Sequence, residues 1–261
     1  MSAPSQRLSA VVTTFDNADT IERCLRSVGF CDEIVVLDSG STDATREIAE
    51  RLGARVIVEP FKGYSAQKQS AIDHASYDWV LLLDSDEWLD AGASAEILQT
   101  IVRGDRAGYS LRRREWLFWR WQSPRSRHNR YARLFDRRRA RMSGHRVHET
   151  VVVDGGADAL DALLWHRGDR DIAAKTEKAN RYSSLQSQER RDTRVSFLRL
   201  RMVAYSSVAF WRYYLVRGHW RAGWAGYIAA RIHAFYAFQK YAKQYEAQRH
   251  AETKSDDAQS S

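Results

Sequence analysis

Only two cysteines and three prolines occur in 261 residues. Cys24 and Cys31 are too few for a disulfide-built scaffold or a cysteine-rich zinc module, and both lie beside an apolar segment, as buried free thiols do. With so few prolines and no glycine-rich stretch the chain shows no linker, and no internal repeat is visible. An uninterrupted run of about 18 apolar residues is also missing, so no transmembrane helix is expected. The opening MSAPSQRLSAVVTTFDN lacks the apolar core of a signal peptide, which points to folding in a reducing cytoplasm. There is no G-x-G-x-x-G turn, no Walker loop and no H-E-x-x-H helix, which removes dinucleotide, P-loop NTPase and zincin readings.

What is present is an ordinary globular composition, 44% apolar and 28% charged. Lys and Arg exceed Asp and Glu by 41 to 33, a net +8 that favours anionic partners. The first ninety residues alternate strand and helix patterns. Short apolar runs at 8–14, 34–37, 55–58 and 79–83 read as strands. Between them lie helices, the first with Ile21, Cys24, Leu25 and Val28 on one face, the second over 44–52 with Ser41-Thr42-Asp43 as its N-cap, the third over 65–75. Such alternation predicts βαβ units and a parallel α/β sheet covered by helices on both faces. A helix over 93–102 follows. Strands at 131–135 and 147–153 are expected to extend the sheet. Beyond Asp171 the chain reads as three helices, 171–190, 197–216 and 222–245, and the polar last residues as a disordered tail.

Ligands of open α/β sheets sit at the carboxyl ends of the strands. Three strands end there in Thr14-Phe15-Asp16, Asp38-Ser39-Gly40-Ser41 and Asp84-Ser85-Asp86-Glu87. In an extended Asp84-Ser85-Asp86, the two carboxylates point to one face and can meet one Mg²⁺ or Mn²⁺ shared with diphosphate oxygens. Asp38 is read two ways, as a turn former before Gly40 or as an acceptor for a nucleoside, and Ser41 and Thr42 as helix caps. His145 and His148 lack the third ligand that a zinc site needs.

Three blocks in this order, 38–43 (DSGSTD), 63–69 (GYSAQKQ) and 83–88 (LDSDEW), resemble those of the family 2 (GT-A fold) glycosyltransferases. The nearest branch is that of the lipopolysaccharide-core and envelope-polysaccharide glucosyltransferases, and 133–135 (RLF), 147–149 (VHE) and 180–183 (NRYS) are similar to its later blocks. The resemblance implies a GT-A sheet over 5–165, inverting transfer from a UDP-sugar to an acceptor hydroxyl, and dependence on Mg²⁺ or Mn²⁺. It implies that Thr14, Asp16 and Asp38 hold the nucleoside, with Lys68 a basic contact to the nucleotide. Asp84, Ser85 and Asp86 would form the Asp-x-Asp site, with Asp86 the better metal ligand. His148 is implied as a metal or diphosphate contact, and Glu149 as the base. Ala substitution of Asp84 or Asp86 is expected to abolish turnover while leaving the fold intact. The first loop departs from the pattern, with Thr-Phe-Asp-Asn where many relatives have Thr-Lys-Asn-Glu, and Ser85 stands where Ala is common.

Residues 103–141 hold fourteen Arg against three acids, interleaved with Trp116, Trp119 and Trp121. This tract is read as facing an anionic, lipid-linked or lipopolysaccharide-core acceptor, with a solvated surface as the plain alternative; nucleic acid is not the expected partner. The region 170–248 mixes aromatic and basic side chains, which suits a helix lying on an anionic membrane surface or a contact between copies of the chain, with 249–261 as the tail. The expected location is the cytoplasmic face of the membrane. Competing readings are a non-catalytic nucleotide- or nucleic-acid-binding protein and a nucleotidyltransferase.

Overall fold

The computed structural model describes residues 6–144, 149–189 and 197–259. β1 (Leu8–Thr14), α1 (Ile21–Ser27), β2 (Glu33–Asp38), α2 (Thr45–Arg51), β3 (Arg55–Val58), α3 (Tyr64–Asp73) and β4 (Trp79–Asp84) alternate as the periodicity predicts. There follow β5 (Glu87–Leu89), α4 (Ala93–Arg103), β6 (Gly108–Leu117), β7 (Arg120–Trp121), β8 (Asn129–Asp136), β9 (Ala140–Met142), β10 (Val151–Val153) and β11 (Asp158–His166). Three helices close the chain, α5 (Ile172–Glu189), α6 (Leu198–Trp211) and α7 (Gly223–Gln259). The large sheet runs β3-β2-β1-β4-β8-β6-β11-β5, with β7 paired to the end of β6. Its first four strands are parallel, and β8 enters antiparallel between β4 and β6.

The apolar strands are covered twice. Leu8, Ala10 and Val12 of β1, with Trp79, Leu81 and Leu83 of β4, pack under α1 and α4. Val11, Val80 and Leu82, one residue out of step, pack with Ala71 and Ile72 of α3. Alternation on a pleated strand sends successive side chains to opposite faces, so a strand buried on both must be apolar throughout. Both thiols are held protonated: burial drives Cys24 well up and Cys31 up to about 12.

Three expectations need correction. β10 is a strand, but it pairs antiparallel with β9 in a separate two-stranded sheet and does not extend the large one; 147 and 148 lie outside the described residues. Its Val153 joins Met142 and Phe135 in the core cluster on the α3 face. A Cβ at Gly108 would lie 2.8 Å from a Val153 methyl, so only glycine allows that approach without a shift. Neither Ser41 nor Thr42 caps α2; the Asp43 carboxylate accepts from Thr45 N–H at 3.0 Å instead. Finally, α7 does not stop at Tyr245 but continues to Gln259, through residues expected to be a disordered tail. Ala, Glu, Lys and Gln are common there, and extending an existing helix avoids the nucleation cost.

The described residues group into two compact units, one within 1–115 and 128–168, the other within 116–127 and 169–261. In the second, Leu117 of the β6–β7 hairpin packs with Ala222, Ala225 and Ala229. Among the described residues no helix is long and apolar enough to cross a membrane.

At the amino edge of the sheet, Glu33 ties neighbouring elements together. It accepts from the Ser9 hydroxyl (2.7 Å), Arg55 (2.8 Å), and the Ser76 N–H and hydroxyl (2.8 and 2.7 Å). Burial alone would raise its pKa, but these donors outweigh it and hold the carboxyl at about 2, against an ordinary 4.5. A depressed folded pKa contributes stability above the unfolded value and loses it as pH falls toward the folded one. Glu33→Gln should therefore be less stable than wild type by on the order of 1–2 kcal/mol at neutral pH. Thermal melts of the two should converge as pH falls from 4.5 toward about 2.

Candidate active site

The register of the parallel strands aligns their carboxyl ends. Thr14 lies opposite Asp38, and Thr13 opposite Asp84. The loops after β1 and β2 are tied to each other: Ser41 Oγ accepts from Asp16 N–H at 2.9 Å, and Asp16 accepts from Thr42 N–H at 2.7 Å. Asp16 holds a φ of 47°, which Asp tolerates better than most residues. Asp38 is fully buried, and its carboxylate accepts from Gly40 N–H (2.9 Å), Ser41 N–H (2.8 Å) and Ser41 Oγ (2.5 Å). In this structure it builds the turn, the first of its two expected and mutually compatible roles. Thr14 Oγ1 is buried with no hydrogen-bond partner among the described residues, and Phe15 beside it is 55% exposed.

At the end of β4, Asp84 is held from two sides. Lys68 of α3 approaches it to 2.8 Å and Arg133 of β8 to 3.1 Å, while the Thr13 hydroxyl donates to it at 3.2 Å. Burial would raise the Asp84 pKa, but Lys68 and Arg133 outweigh it and hold the carboxyl well below the usual range. Lys68 also meets Glu149 Oε1 at 3.1 Å. Burial opposes its charge, yet Asp84 and Glu149 prevail and its pKa is raised. One ammonium thus joins the expected Asp-x-Asp residue to the expected base. Ser85 is buried beside them, its N–H donating to Thr13 O at 3.1 Å.

The network continues through residues that were not among those expected to form the site. Buried Glu87 accepts from Arg133 at 2.7 Å, Arg113 at 3.1 Å and Asp84 N–H at 3.1 Å. Arg113 reaches Glu115 at 2.9 Å, and Glu115 meets His166 Nδ1 at 2.5 Å. The other ring nitrogen, Nε2, faces Asp86 Oδ2 at 3.4 Å. Burial would lower the His166 pKa, but Glu115 and Asp86 outweigh it and push it up to about 10. The strand-end rule finds His166, since it terminates the apolar run of β11. Arg113 and Arg133 were counted within the arginine tract as acceptor-facing surface, yet both are buried or nearly so. Others of that tract pair locally, Arg106 with Asp158 and Arg138 with Asp78.

Asp86 offers an oxygen, and His166 would offer Nε2 only once a cation displaced the proton that it now shares with Asp86. No group of three His, Cys, Asp or Glu side chains able to hold a metal occurs among the described residues, and His148 lies outside them. Two donors still suit Mg²⁺ or Mn²⁺, which commonly complete their shell with water and phosphate oxygens. Arg133 Nε is buried and has no hydrogen-bond partner among the described residues, a further donor at the same edge.

The model of the family described as Glycosyl transferase family 2 matches residues 9–156. The chain belongs to that family. A relative that carries the similarity through both units is the lipopolysaccharide core biosynthesis glycosyltransferase LpsC of Rhizobium meliloti. It is 31% identical over 257 residues, 95% of this chain and 94% of its own. An uncharacterized glycosyltransferase of Rickettsia bellii is 29% identical over 92% of this chain and 86% of its own. Glucosyl-3-phosphoglycerate synthase of Mycobacterium tuberculosis, crystallised with Mn²⁺, UDP and glucosyl-3-phosphoglycerate, overlaps 42% of this chain and 44% of its own at 25% identity and a TM-score of 0.36. That overlap is too partial to transfer ligands.

In this family 2 glycosyltransferase the Asp84 ion pairs revise one expectation. Removing that carboxylate leaves Lys68 with Glu149 alone and Arg133 with Glu87 alone, so Asp84→Ala should cost stability as well as turnover. Lys68→Met should cost about 2–3 kcal/mol in denaturant unfolding, because it strands Asp84 with one cation fewer. Lys68→Met combined with Asp84→Asn should cost less than the two singles together, by about 1–2 kcal/mol. Strict additivity would show that the pair is not coupled.

Proposed function

We propose that this family 2 glycosyltransferase inverts the anomeric centre of a UDP-sugar, most simply UDP-hexose, in transferring it to a lipopolysaccharide-core or other lipid-linked saccharide at the cytoplasmic face of the membrane. The observation that carries the reading is the continuous run of ion pairs from Glu149 through Lys68, Asp84, Arg133, Glu87, Arg113 and Glu115 to His166 and Asp86, at the carboxyl edge of the sheet. The name and length match of LpsC support the acceptor class.

In this reading Thr14 Oγ1 and the linked loops at Asp16 and Asp38 receive the nucleoside. Asp86 and His166 hold Mg²⁺ or Mn²⁺, with Asp84 anchoring Lys68 and Arg133 beside them. A divalent ion bound there supplies positive charge against the departing diphosphate. Glu149, fixed by Lys68, takes the proton of the acceptor hydroxyl as its oxygen bonds to the anomeric carbon and the bond to the diphosphate breaks. Glu115 holds the His166 ring by its other nitrogen, as carboxylates commonly do behind histidine ligands.

Calorimetric titration of UDP tests the donor half. Binding should require Mn²⁺, vanish with EDTA, and weaken by about tenfold or more in Asp86→Ala and in His166→Ala. Glu149→Gln should bind UDP as wild type does yet turn over about 10²–10⁴-fold more slowly. UDP binding that ignores the metal contradicts the metal site, and unimpaired turnover in Glu149→Gln contradicts the base.

A further inference from the structure

We propose that the outer face of α6 is a docking surface for an anionic lipid bilayer, on which the second unit lies without crossing. Leu200, Val203, Val208, Trp211, Leu215 and Val216 are 52–69% exposed. From Leu200 to Leu215 they recur at three- to five-residue intervals along α6 and the turn that continues it, Val216 following directly, with exposed Ala204 and Ser207 between them. A stripe of this kind is the face a helix normally buries, and here it is open to solvent. Three tryptophans extend the surface. Trp220 and Trp224 flank the start of α7, 48% and 76% exposed, and Trp119 at the hairpin tip is 54% exposed. The hairpin meets the same turn, since the Arg120 guanidinium lies 3.7 Å from where a Cβ on Gly223 would be. Tryptophan with an arginine beside it, as Arg221 lies 4.4 Å over Trp220, is the composition of a membrane–water interface.

Charge selects the occupant. From Thr193 to Tyr245 there is no Asp or Glu, against seven Arg and two Lys. A second copy pairing through the same face would set one acid-free basic surface against another, since a two-fold contact joins identical patches. Anionic headgroups neutralise those cations while the acyl region takes up the exposed apolar side chains. Arg201, Arg212 and Arg217 interrupt the apolar run, and no helix among the described residues is long and apolar enough to cross, so the proposed contact lies along the interface. The surface deepens the proposal of a lipid-linked acceptor, and the two can fail separately.

The test is flotation of the full chain with phosphatidylcholine vesicles, with and without phosphatidylglycerol. Binding should need phosphatidylglycerol and weaken with added salt. Val203→Glu combined with Val208→Glu should lower partitioning by about tenfold or more, while the circular dichroism spectrum and UDP titration stay as in wild type. Both positions are exposed, so the fold does not depend on them. No flotation by wild type, binding indifferent to phosphatidylglycerol, or an unaffected double variant would overturn the proposal. So would a dimer in light scattering that the double variant dissociates, since a second copy would then cover the face. Vesicle binding with no UDP binding would instead refute the donor site and leave the surface standing.

Discussion

The Asp84 carboxylate, fixed between Lys68 and Arg133, is the contact on which the carboxyl edge of the sheet depends. Five carboxylates gather there, Asp84, Asp86, Glu87, Glu115 and Glu149, and without cations among them their repulsion would open the edge. Lys68, Arg113, Arg133 and His166 each stand between two of them. Burying this many charges is a poor way to gain stability, because desolvation offsets much of the attraction. An apolar edge would serve the fold equally well. Its cost is understood if the charges wait for a ligand that carries its own, such as a diphosphate.

Much of the parallel half was legible because one pattern determines both fold and burial. The runs 8–14 and 79–83 are apolar at nearly every buried position, and their register brings Thr14, Asp38 and Asp84 to one edge. The outer half was less legible for a physical reason. Whether 151–153 joins one sheet or another depends on which neighbour offers a free edge, and no local pattern records that choice. Charge hid the rest: Arg113 and Arg133 are indistinguishable by composition from the exposed arginines around them, although their partners Glu87 and Glu115 lie in the same edge. His166 could have been found by treating β11 like the earlier strands.

The two units differ in composition and in what the comparisons cover. The family model ends at residue 156, within the sheet unit, whereas the similarity to LpsC spans 95% of the chain and therefore takes in the helices. The proposed site lies in the first unit, where Lys68, Arg113, Arg133 and His166 each face two carboxylates. The second carries aromatic and basic side chains with no acid from 193 to 245, and leaves an apolar helix face open. In the reading proposed above, the first unit would hold the nucleotide-sugar and the second would meet a lipid surface, an arrangement suited to an anchored acceptor.

The most direct test of the donor site is a crystal structure of the protein with UDP and Mn²⁺, the metal located by its anomalous scattering. The account predicts a single manganese peak touching Asp86 and His166, the diphosphate on its open side, and Lys68 still bridging Asp84 and Glu149. A nucleotide bound away from the carboxyl ends of β1, β2 and β4, or a metal held without Asp86 and His166, would contradict it.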